Sequence, residues 1–116
     1  MSIVQNIVKA KITSEDIGAY KAQAKKMKTG AEDEPGTLVY DFFINENTKD
    51  VLILEQYANS EALMTHMKKF TQPEYIPTLM QMMEIGSIDM PGLVSDDIKE
   101  FFAKGGWQYN AYPLTM

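Results

Sequence analysis

Apolar and polar positions change period several times along the chain, and each change marks an element. From Ile3 to Ile12 the β-branched residues Ile3, Val4, Ile7, Val8 and Ile12 predict a strand. Thr13 or Ser14, followed by Glu15 and Asp16, reads as a helix start with acids in the first turn. Ile17, Tyr20, Ala24 and Met27 then recur at helical spacing, and Lys25, Lys26, Lys28 and Gly30 close the helix. After an acidic loop ending in Pro35-Gly36, two strands are predicted, Thr37 to Asn45 and Asp50 to Ala58, joined by Glu46-Asn47-Thr48-Lys49 as a hairpin. Asn59 or Ser60 caps a second helix with Leu63, Met67 and Phe70 on its inner stripe. Pro77 forces a break near Ile76, and Leu79 to Met83 continues as helix. Ile85 to Met90 reads as a fourth strand stopped by Pro91-Gly92. Ser95 caps a short helix from Asp96 to Ala103, stopped by Gly105-Gly106, and Trp107 to Leu114 alternates like a last strand.

The resulting order, β-α-β-β-α-β with an added helix and strand, matches the ferredoxin-like split βαβ plan of the α+β class: an antiparallel sheet with helices on one face. One domain over residues 1–116 is expected at this length. The hairpin is apolar on both sides: Leu38, Tyr40, Phe42 and Ile44 are expected on one face, Val39 and Phe43 on the other. The chain's own helices cover one face, and a second copy of the chain is the most economical cover for the other, so a homodimer through sheet faces is expected.

Charge and composition narrow the partners. All eleven basic residues are lysines, and the formal net charge is −5. Without arginine and with this acidic balance, nucleic-acid binding is not expected. No apolar run approaches membrane-spanning length, and the first residues lack the basic start and apolar block of a signal peptide, so a cytoplasmic location without membrane association is expected. The chain has no cysteine and one histidine. Thiolate zinc, iron–sulfur and His-rich transition-metal sites are therefore excluded as sequence readings, and no glycine-rich phosphate loop is present. No metal and no cofactor are expected.

Chemistry-bearing residues are few. His66 lies one step off the Leu63-Met67-Phe70 stripe, as a general base at a cavity edge or as a satisfied core-edge ring. Glu55 interrupts the apolar run VLILEQY, and a salt bridge to a lysine across the sheet or the dimer is the preferred reading over a catalytic carboxylate. Asn6 is a lone amide in the first strand, a substrate-orienting group or a strand-edge amide. Met64, Met67, Met80, Met82 and Met83, with Tyr40, Phe42, Tyr57 and Phe70, either fill a plain core or line an apolar cavity for a planar aromatic ligand.

The stretches EPGTLVYDFF from Glu34 and VLILEQYANSEALMTH ending at His66 resemble the antibiotic biosynthesis monooxygenase family, with order and spacing alike from residue 3 to about 90. The resemblance implies a dimeric α/β barrel with a pocket between sheet and helices. It also implies oxidation of phenolic or quinol-type aromatics by O₂ without metal or organic cofactor. His66 matches the family's helix histidine, the implied base or hydrogen-bond partner, with Asn6, Tyr40 and Tyr57 at strand positions facing the pocket. The lack of arginine departs from members that use one to stabilise charge. Related barrels degrade haem, but His66 occupies the position of their helix tryptophan and residues 68–83 offer no histidine to bind iron. The rival reading is a barrel that binds or senses a small ligand without chemistry.

Overall fold

The computed structural model describes residues 3–114. Among them the order is β1 (Val4–Ile12), α1 (Ile17–Ala31), β2 (Thr37–Asn45), β3 (Asp50–Tyr57), α2 (Ser60–Phe70), α3 (Ile76–Met80), β4 (Met83–Pro91), α4 (Asp96–Gly105) and β5 (Asn110–Tyr112). The strands form one sheet in the order β2-β3-β1-β4-β5. The first four strands pair antiparallel in the ferredoxin-like arrangement. β5 joins β4 in parallel, so the sheet is mixed where a purely antiparallel one was expected.

Period-two burial in β1 places Val4, Asn6, Val8, Ala10 and Ile12 under the helices. They face Tyr20 and Met27 of α1 and Leu63, Met67 and Phe70 of α2. The α1 start differs from the sequence reading. Asp16 is itself the cap, its Oδ1 accepting from the Ala19 N–H at 2.9 Å, while Ser14 caps a turn just before it. Gly30 lies inside α1 instead of ending it, because its bare face admits the Tyr75 ring, 3.3 Å from where a Cβ would stand.

Four further departures have local causes. A register shift between Thr37 and Val39 throws Leu38 out of phase, so it is 50% exposed while Tyr40 is buried. α3 ends at Met80, and Met83 already belongs to β4, paired with Ile12. α4 runs on to Gly105, and Gly106, at φ 73°, supplies the left-handed stop. The last strand is only three residues long, because Trp107 and Tyr109 turn inward to pack on the core before pairing begins.

Candidate functional site

Register across the sheet builds the polar centre. Asn6 of β1 and Tyr40 of β2 both pair with Glu55 of β3, so the three residues form one row across the helix-covered face. The next row toward the hairpin turn is Val8, Ile53 and Phe42, wholly apolar. Above this face lies a cavity of about 70 Å³. Asn6, Glu55 and Tyr40 sit in its floor; Met27, Met67, Met80 and Met83 wall it from α1, α2, α3 and the start of β4; Phe102 and Trp107 close it from the C-terminal segment. By volume it holds about two waters, and four methionines give its wall room to adjust to something larger.

Glu55 has no lysine partner among the described residues; its sequence-preferred intrachain salt bridge is absent. Instead the Tyr57 hydroxyl donates to its Oε1. Burial pushes the carboxyl up to about 7, with the Tyr57 hydroxyl and the Asn6 amide beside it pulling the other way. Burial, and then the Glu55 charge, hold the Tyr57 hydroxyl well above its ordinary pKa, so it stays protonated and donates. Asn6 is 4% exposed and its Oδ1 has no hydrogen-bond partner. A buried acceptor without a partner beside a cavity is a place for a ligand's donor.

His66 is 1% exposed and does not line the cavity. Its Nδ1–H donates to Glu34 Oε1 at 2.7 Å, and its ring stacks on Phe70 at 4.0 Å. Tyr40, which does line the cavity, packs against the same ring at 4.9 Å. Burial holds the imidazole below its ordinary pKa, the Glu34 carboxylate partly countering it. The same carboxylate takes the Thr37 hydroxyl at 2.7 Å and lies 3.7 Å from Lys69 Nζ, so it ties the loop before β2 to α2.

Of the residues singled out by sequence, Asn6, Tyr40, Glu55, Met67, Met80 and Met83 therefore reach the cavity. His66, Tyr57 and Phe70 stand behind its wall. Glu55 was legible as an oddity, with Tyr57 two residues on along the same strand, but Asn6 and Tyr40 meet it only through strand register. Nothing local marked Phe102 and Trp107, which the chain path carries back over the cavity. Among the described residues no group of His, Cys, Asp and Glu converges as metal ligands would, and no helix is long and apolar enough to cross a membrane.

The family model for "Antibiotic biosynthesis monooxygenase" matches residues 3–76. No curated protein matches the sequence. Among solved structures, MupZ from Pseudomonas fluorescens superposes with a TM-score of 0.83 at 17% identity, over 100% of this chain and 93% of that one. Rv0793 from Mycobacterium tuberculosis superposes with a TM-score of 0.64 at 18% identity, over 82% of this chain and 98% of that one. A candidate monooxygenase from Lactobacillus acidophilus NCFM shares 28% identity at a TM-score of 0.63 over 76% of this chain, which spans only 42% of that protein. The first two likenesses speak for the fold.

Proposed function

Because the chain belongs to the antibiotic biosynthesis monooxygenase family, we propose that its cavity oxidises a small phenolic or quinol-type aromatic with O₂, without metal or organic cofactor. The observation that carries this is a carboxyl with its pKa near 7 in an apolar cavity, next to the unpartnered Asn6 Oδ1. Those two groups accept hydrogen bonds and repel anions, so they select a neutral ligand with an O–H donor. Ionised Glu55 takes the hydroxyl proton and leaves a phenolate rich enough in electrons to reduce O₂ directly. For a phenol oxidised at the para carbon, one oxygen atom becomes the new carbonyl and the other leaves as water with the two hydrogens the substrate loses. Tyr57 holds Glu55 in place. His66, tied to Glu34, fixes Tyr40 as a positioning residue rather than acting on the substrate itself.

Oxygen uptake with a panel of reduced quinols and anthrone-like phenols tests the reading in the wild type, Glu55→Gln and His66→Ala. Glu55→Gln is expected to lose about 100-fold or more in kcat, the ordinary worth of a general base. Wild-type activity is expected to rise with pH through about 7, because the ionised carboxylate is the competent form. A histidine base would rise below 6.5 instead, since the His66 pKa is lowered from that value. Full activity in Glu55→Gln, or a profile flat from pH 5 to 8, would remove Glu55 from the role. Saturable binding with no uptake by any member of the panel would favour the ligand-binding barrel.

A further inference from the structure

The cavity's roof comes from a part of the chain that lies beyond the residues the family model matches, 3–76. Phe102, near the end of α4, and Trp107, just past it, both line the cavity. We propose that Trp107 is the residue that sets how large a ring system the cavity admits. This rests on the reading of the cavity as a ligand site and adds to it the group that selects among ligands.

Several independent devices hold the indole in place. Gly106 takes the left-handed conformation at φ 73°, which reverses the chain at the end of α4. The Trp107 N–H then bonds back to the Phe102 carbonyl at 2.9 Å. Gly105 faces the indole, 3.6 Å from where a Cβ would stand. Phe101 and Phe102 meet its ring edge-on at centroid distances of 5.9 and 5.7 Å. Beyond it, β5 clasps the segment to β4 through the parallel pairing of Asp89 with Asn110. The Asn110 side-chain amide donates to Asp89 at 3.0 Å, and the Gly92 N–H donates to the Tyr112 carbonyl at 2.8 Å.

The opposite wall is different in kind. Asn6, Glu55 and Tyr40 are fixed by sheet register, and the methionines of α1, α2, α3 and β4 yield to shape. A ring growing away from the Glu55–Asn6 floor is therefore expected to meet the ordered aromatics of the C-terminal segment, Phe102 and the Trp107 indole packed on it. Phenols of one ring enter as the methionine wall yields, whereas additional fused rings must also displace the indole.

The test measures binding without turnover, by anaerobic calorimetry with phenol, 2-naphthol and 2-anthrol on the wild type, Trp107→Phe and Trp107→Ala. The ratio of 2-anthrol to phenol affinity is expected to rise about tenfold in Trp107→Ala, with a smaller rise in Trp107→Phe. Trp107 is the chain's single tryptophan, so wild-type emission is expected to shift on saturation and to report the contact directly. Trp107→Phe keeps an aromatic wall, and it carries the test if the alanine variant loses its fold. An unchanged affinity ratio, with each ligand still binding saturably, would overturn Trp107 as the selector and leave the cavity reading standing. No saturable binding of any member to the wild type would overturn both.

Discussion

Burial makes Glu55 sensitive to pH in stability as well as in chemistry. In the unfolded chain its carboxyl titrates near the ordinary 4.5; in the folded chain, near about 7. Between those values the folded state holds the extra proton, so stability falls as pH rises through that window and is level above it. The lowered pKa of His66 works in the opposite direction below 6.5, where the unfolded chain takes up the proton. Glu55→Gln removes the first effect and leaves the second. Urea unfolding at pH 5 and pH 8 is therefore expected to show a wild-type loss on the order of 2 kcal/mol relative to Glu55→Gln over that interval. Equal pH dependence in the two proteins would contradict a buried, proton-holding Glu55. How much of this was legible differs by residue. A carboxylate inside VLILEQY announces itself, but its partner Asn6 lies 49 positions earlier and meets it only by cross-strand pairing. His66 was placed on the right helix, yet spacing on one helix could not show that Glu34, 32 residues earlier, would bury and hold it.

At the scale of elements, periodicity gave existence and type more faithfully than ends. Both long helices, the hairpin and the β1 strand stand where alternation puts them. The shift that exposes Leu38 was invisible, because it depends on how many residues the β3 partner sets against Thr37–Val39. One element join is unusually tight. A Cβ on Gly36 would lie 2.5 Å from the Ala62 Cβ at the start of α2, and the Gly36 carbonyl also accepts from the Ala58 N–H at 2.8 Å. The loop entering β2 and the first turn of α2 thus share space that no side chain can occupy. Gly36→Ala is expected to cost about 1–3 kcal/mol in urea unfolding, as overpacking does, and to loosen the Glu34–His66 tie next to it. Wild-type stability in that variant would mean that the loop yields freely.

Across the whole molecule, the helices leave one sheet face uncovered. Ile7 and Leu54 pair in the middle of that face, with Leu52 and Phe43 paired beside them, and Phe43 is 52% exposed. A second copy meeting this face is the cover expected for it, and the family to which the chain belongs is typically dimeric. Leu54→Lys places a charge at its centre and is expected to turn a dimer into a monomer at tens of micromolar, read by sedimentation velocity. A wild type that sediments as a monomer would remove the dimer itself, and a variant that stays dimeric would place the contact elsewhere. The strand order has a further consequence, in time instead of space. β1 is made before both of its neighbours, β3 and β4, so its pairing on one side is complete only once Tyr57 has been synthesised and on the other only once Asp89 has. On the ribosome its run of isoleucines and valines therefore waits beside a growing chain. The β2–β3 hairpin closes first, and the sheet is completed only when β4 returns to β1, the sort of long loop closure that slows folding.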